Sequence, residues 1–183
     1  MKPFLKVPTT FQPVDDAVDE AWDAIRGNAV ADRIFYTASE AANFSMIWHA
    51  LGIARAVADG DLRAALKPSA ALALESALVN GPIKSMFERE RPDVVAEDRP
   101  MHLRQPKTSS FPSGHASAAV VASSYLTGGS RWPWKLFVRS TAAIVATSRI
   151  HVKIHHATDV AAGAATGWAL ARAMRPLLRR VFD

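Results

Sequence analysis

Phe111-Pro-Ser-Gly-His-Ala-Ser-Ala-Ala-Val-Val-Ala-Ser-Ser-Tyr-Leu126 changes character after Gly114. Pro112, Ser113 and Gly114 are turn formers, and small or apolar residues then run to Leu126 without a proline or a fixed charge. The stretch predicts a helix from about His115 to Leu126 that starts on a Pro-Ser-Gly turn. The first N–H groups of such a helix lack intrahelical acceptors and carry partial positive charge, so its start is an anion seat. Ser113 offers a hydroxyl, Gly114 permits close backbone approach, and His115 stands beside the same anion as a candidate acid. An ordinary N-cap explains Ser113 and Gly114 but leaves His115 without a reason.

Outward from this stretch the chain reads as helix after helix. Ala17, Val18, Ala21, Trp22 and Ile25 recur at helical spacing, and Gly27-Asn28 stops them. A second helical region, one helix or two, covers about Ala29 to Ala58 and ends at Asp59-Gly60. The Ala-rich run from Ser69 to Val79 is strong helix by propensity. Pro82 suits a first helical position, which predicts a short helix from Pro82 to about Arg91, stopped by Pro92. Further helices are expected at about Trp134 to Ile150 and Thr158 to Arg180. No strand alternation of useful length occurs, nor any internal repeat. The expected fold class is therefore all-α, a single-domain bundle of about six helices with its site at helix ends. Residues 1–13, with Pro3, Pro8 and Pro13, are expected to form an irregular arm, 14–183 one domain, and 92–114 a long proline-rich loop of a length that is often functional.

Composition narrows the chemistry. With 183 residues and 49% hydrophobic content, the chain suits one domain with a substantial core. The absence of cysteine excludes disulfides, thiolate zinc sites and a cysteine nucleophile. Lys and Arg number 22 against 17 Asp and Glu, a formal charge of +5, which favours anionic partners: phosphates, acidic headgroups or nucleic acid. Lys6 and Pro8 interrupt the apolar residues of the start, so no cleavable signal peptide is expected. The longest stretch without Asp, Glu, Lys or Arg is Thr108 to Ser130, and only Ala116 to Thr127 of it suits lipid, short of the roughly 20 residues a span needs. Mean hydropathy is +0.03, yet helices that turn polar residues inward can lie in a membrane with weak hydropathy.

Three motifs carry the chemistry. In Lys84-Ser-Met-Phe-Glu-Arg-Glu-Arg91-Pro92, Lys84 and Arg91 stand seven apart, on nearly one face if the segment is helical, so that two cations grip one anion. A solvated charged helix, with Glu88 and Glu90 pairing locally, is the plainer reading of that motif alone. Phe111 to Ser117 is the anion seat already described. In Ser148-Arg149-Ile-His-Val-Lys-Ile-His155-His-Ala-Thr-Asp159, Arg149 closes an apolar helix, a costly place for a cation that meets no anion. Asp159 is spaced to accept the Nδ1–H of His155, leaving Nε2 free to attack. His151 and His155, four apart, could hold a metal, but the glutamate of a His-Glu-x-x-His zinc site is missing, and no metal or other cofactor is expected.

Together the three blocks resemble the type 2 phosphatidic acid phosphatase superfamily over about residues 84–167: Lys, six residues, Arg-Pro; Pro-Ser-Gly-His; Ser-Arg, five residues, His, three residues, Asp. The resemblance implies a metal-independent phosphatase that works through a phosphohistidine on His155. It implies that Asp159 orients His155, and that His115 protonates the leaving alkoxide and then activates water. Lys84, Arg91, Arg149, Ser113 and the Gly114 N–H would hold the phosphoryl oxygens, work that phosphoryl transfer needs above all. The substrate class implied is a phosphate monoester or diphosphate, foremost a lipid phosphate such as phosphatidate or a polyprenyl phosphate, met at a membrane, with the cell membrane the expected location. Trp and Arg at helix ends, in Arg131-Trp132-Pro-Trp134-Lys135 and from Arg172 to Arg180, suit such an interface.

His156-Ala157 departs from the aromatic-Pro pair that often follows the family's nucleophile, which makes His156 a competitor; spacing favours His155. Two other functions stay open at this stage. A vanadium-dependent haloperoxidase would use the same anion seat for vanadate, although such enzymes are usually much larger. A non-enzymatic basic module binding acidic membranes or nucleic acid would depend on charge and not on His155; nucleic acid is not the expected partner.

Overall fold

The computed structural model describes residues 4–92, 103 and 106–182. Its helices are α1 (Gln12–Asp23), α2 (Ala29–Ala41), α3 (Met46–Asp59), α4 (Arg63–Leu78), α5 (Gly114–Leu126), α6 (Trp132–His151) and α7 (Ala157–Phe182). The fold is all-α, as expected, with one small exception. Leu5–Lys6 (β1) and Phe87–Glu88 (β2) pair in parallel.

That pairing corrects one local expectation. No helix runs from Pro82 to Arg91: a π-turn spans Val79–Ile83, a brief helical turn carries Lys84, and the chain then straightens into β2. Lys84 and Arg91 therefore do not share a helix face. Leu5 N–H donates to the Met86 carbonyl at 3.0 Å, so the arm takes up the backbone groups a helix would have used. The arm accordingly has more order than three prolines suggest, with a helical turn at Thr9–Phe11 leading directly into α1.

The long second helical region is two helices. Phe44 and Ser45 both adopt positive φ, 53° and 59°, which turns the chain between α2 and α3. Asn28, read only as a stop, also starts α2: its side-chain oxygen accepts from the N–H groups of Val30 and Ala31 at 3.0 and 3.1 Å.

Helix α5 is the hub, packed against α4, α6 and α7. Its small residues make this geometry available, because Ala116, Ala119, Val121 and Ala122 are wholly buried and keep neighbouring axes close. Gly163 and Gly167 of α7 bring the closest approach. A Cβ on Gly163 would lie 2.3 Å from the Ser113 carbonyl oxygen, and one on Gly167 2.4 Å from that of Ser117. The start of α5 is thus fixed against the first turns of α7, the two places where the sequence concentrates its motifs. Among the described residues no helix is long and apolar enough to cross a membrane.

Candidate active site

Helix α6 ends by folding its own terminus back on Arg149. The carbonyl of Arg149 accepts from the N–H groups of both Ile154 and His155 at 3.1 Å, with Lys153 at φ 49° making the turn. Arg26 from beyond α1 covers the exposed carbonyls of that terminus, donating to Ile150 O at 2.9 Å and His151 O at 3.1 Å. His155 emerges from this turn buried, 3% exposed, directly ahead of α7 and Asp159.

Five of the eight residues singled out from sequence line one cleft of about 780 Å³: Lys84, Gly114, His115, Arg149 and His155. Arg91 reaches His155 from a second cleft, of about 630 Å³, on whose wall His155 also stands. Its Nη1 lies 3.3 Å from His155 Nε2 and donates to Ile154 O at 2.9 Å, while Nη2 and Nε donate to the carbonyls of Thr108, Ser109 and Pro106. Four carbonyls thus position this guanidinium where no helix does. Ser113 and Asp159 sit behind the wall, both fully buried. Ser113 caps α5, accepting from Ala116 N–H at 3.5 Å, and its own N–H donates to the Asp159 carbonyl at 3.0 Å.

The hydrogen bonds assign the tautomer of His155. A guanidinium only donates, so Nε2 facing Arg91 is the unprotonated nitrogen. The proton then belongs to Nδ1, which faces Asp159 Oδ2 at 3.5 Å, a long contact, and has no other partner among the described residues. Burial depresses the imidazole to about 3, with Asp159 opposing and Arg149, Arg91 and Lys84 adding to the effect, so His155 is neutral at physiological pH. Burial pushes Asp159 the other way, but His155 and Arg89 outweigh it and hold the carboxyl below its ordinary value. Lys84 is lowered to about 8 by burial and by the neighbouring Arg91 and Arg149. His115 lies well below the ordinary imidazole value through burial and the charge of Arg149. Its Nε2–H donates to the Ser39 carbonyl at 3.3 Å.

Several site residues escaped the sequence reading. Arg89 bridges two buried carboxylates, Asp159 and Asp15, and donates to Thr158 Oγ1 at 2.8 Å. Asp15 in turn accepts from Thr158 N–H at 2.8 Å and Thr158 Oγ1 at 2.9 Å. The signal for Arg89 is visible in Glu-Arg-Glu-Arg91-Pro92, where it alternates with Arg91; Asp15 offers none, being one of several acids on α1. Ser39 of α2 accepts from Arg149 through its hydroxyl and from His115 through its carbonyl, tying the two together. Glu75 of α4 lines the main cleft with Lys84.

His151 and His156 take other places. Trp22 Nε1–H donates to His151 Nδ1 at 3.1 Å, His151 Nε2 meets Asp32 at 2.8 Å, and the ring stacks on Phe35. His151 is thereby occupied within the packing of α1, α2 and α6 and does not form a ligand pair with His155. His156 lines the second cleft and gives its backbone N–H to Asp159 Oδ2 at 2.9 Å.

Three cations, a helix start and a neutral histidine backed by a carboxylate thus meet at the helix ends of an α-bundle. The family model that matches residues 64–183 is that of the PAP2 superfamily, and the chain belongs to that family. A transmembrane PAP2-type phosphatidylglycerolphosphate phosphatase from Bacillus subtilis shares the fold, with a TM-score of 0.67 and 21% identity over 95% of this chain and 89% of that one. Aquifex aeolicus LpxE does so as well, with a TM-score of 0.63 and 22% identity over 87% of this chain and 93% of that one. At such identities the likeness establishes the fold. No curated protein matches the chain.

Proposed function

We propose that the chain is a metal-independent lipid phosphate phosphatase whose catalytic domain is residues 14–183, with its motifs between 84 and 167. The observation that carries this reading is the unprotonated Nε2 of His155, buried among Arg91, Arg149 and Lys84. The substrate phosphoryl group sits among these cations and the N–H groups at the start of α5. The Nε2 lone pair attacks phosphorus, the bond to the leaving oxygen breaks, and the minor imidazolium form of His115 gives that oxygen a proton, returning to the neutral state in which its Nε2–H donates to Ser39 O. Asp159 steadies the imidazole as positive charge develops. In the second half, His115 takes a proton from water as the water attacks phosphorus, the N–P bond breaks, and phosphate leaves. The cations supply the charge neutralisation that this transfer requires.

The lipid nature of the substrate is supported by the cleft mouth, where Phe44 is 78% exposed, and by the apolar residues Met46, Ile53 and Val57 displayed along α3. Membrane association follows from the same surface. The direct test is phosphate release from a short-chain phosphatidate with EDTA present. Activity should survive chelation, fall by about 10³-fold or more in His155→Ala, and fall strongly in His115→Ala. Loss on chelation would refute the metal-free route. An inactive His156→Ala beside an active His155→Ala would move the nucleophile to the neighbouring residue.

A further inference from the structure

Glu75 projects from α4 into a region where the chemistry above assigns it nothing. It is 1% exposed and shares the wall of the main cleft with Lys84, Arg149, His115 and His155. Among the described residues its Oε1 has no hydrogen-bond partner, and the Ser117 hydroxyl, which faces the carboxyl from α5, is near enough to lower it without reaching hydrogen-bonding geometry. A buried carboxyl oxygen without a partner is costly, and one placed beside an anion seat is costlier still when the seat is filled. We propose that Glu75 couples oxyanion binding to proton uptake: ionised, it balances Lys84 in the empty cleft, and it is protonated when a phosphoryl group enters. Gln at this position would mimic the state that binds.

The surrounding charges agree with this division of labour. Lys84, on the turn after α4, is the cation that acts on Glu75. Arg149 comes from α6, His115 from α5 and His155 from the α6–α7 turn; on α7 Asp159 is committed to Arg89 and His156. His49 of α3 meets Ser69 Oγ at 2.9 Å. An entering dianion is stabilised by Lys84 and Arg149 and repelled by Glu75, so the two states of the carboxyl differ most when the site is occupied. Burial raises Glu75 to about 7, with Ser117 and Lys84 pulling it back, which makes both states accessible near neutrality.

This inference rests on the reading of the cleft as a phosphate site, and sulfate separates the two because its charge stays fixed through neutral pH. Calorimetry of sulfate binding to the full chain, in buffers of different ionisation enthalpy, should show uptake of roughly half a proton at pH 7. Affinity should fall about tenfold per unit as pH rises above 7. Glu75→Gln should bind sulfate with little pH dependence between pH 6 and 7.5 and without most of that uptake. Ser117→Ala removes the hydroxyl that lowers Glu75, so its affinity midpoint should move to higher pH. Sulfate binding with the same pH profile and proton uptake in Glu75→Gln as in wild type would overturn the role of Glu75 and leave the phosphate site standing. An unmoved midpoint in Ser117→Ala would do the same if Glu75→Gln fails to fold. Absence of sulfate binding in wild type at any pH would overturn both.

Discussion

The same burial that keeps His155 neutral makes Lys84 vulnerable to alkali. Lys84 is lowered to about 8, so above that pH the cleft loses a cation and its anion affinity should decline. Stability moves in the opposite sense. The unfolded lysine keeps its proton to about 10.5 while the folded one has released it, so folding gains as pH climbs between those values. Activity should thus fall where the fold becomes firmer, which separates a titrating site from simple denaturation. Lys84→Arg carries a charge that persists past this range, and it should flatten the limb of kcat/KM above pH 8, removing the part of the fall that Lys84 adds to the one Glu75 sets from pH 7. Measuring kcat/KM for both proteins from pH 6 to 10 on one substrate cancels the titration of the substrate itself. Coincident alkaline limbs would show that Lys84 does not set that limb.

At the scale of elements, the contact between α5 and α7 is where a single methyl matters most. Alanine at Gly163 would press a Cβ into the Ser113 carbonyl, and the resulting shift reaches the turn that starts α5. Gly163→Ala should cost about 1–3 kcal/mol of stability and reduce kcat/KM by about tenfold or more. Gly128→Ala has only the Tyr125 carbonyl, 3.8 Å away, near its new methyl and should change neither. Thermal melts and steady-state rates on the two variants decide the matter; equal tolerance at both positions would mean the close approach is dispensable. These elements also show what sequence could and could not reveal. Helices α5 and α7 were legible because their periodicity, caps and motifs are local. The segment after Lys84 was not, since its β2 exists only through pairing with residues some eighty positions earlier in the chain. The link from Asp159 through Arg89 to Asp15 is invisible for the same reason: nothing local distinguishes Asp15 from the acids around it. By contrast, the spacing of Lys84 and Arg91 suggests a shared helix face that does not form, yet Arg91 stands beside His155 because backbone carbonyls hold it there.

The whole molecule presents a problem that its site alone does not. A bundle whose described helices are too short or too polar to span a membrane nevertheless displays Phe44, Val57, Leu62, Trp132 and Trp168 to solvent. Its net charge of +5 adds attraction to acidic lipid, and Arg172 lies over Trp168 at 5.4 Å, pairing a cation with an aromatic ring suited to the headgroup layer. These two forces differ in their response to salt. Electrostatic attraction weakens as the Debye length shrinks from about 10 Å at 0.1 M to about 3 Å at 1 M, whereas apolar insertion persists. On vesicles containing phosphatidylglycerol, the chain should bind with a blue shift of tryptophan emission and keep most of that shift in high salt. Trp132→Ala and Trp168→Ala should weaken binding several-fold while leaving hydrolysis of a soluble short-chain substrate unchanged, because neither residue lines the cleft. Binding abolished by salt, with no blue shift, would make the contact purely ionic and the apolar surface irrelevant to it. Failure to bind such vesicles at low salt would remove membrane association altogether and leave the cleft to act on soluble phosphate esters.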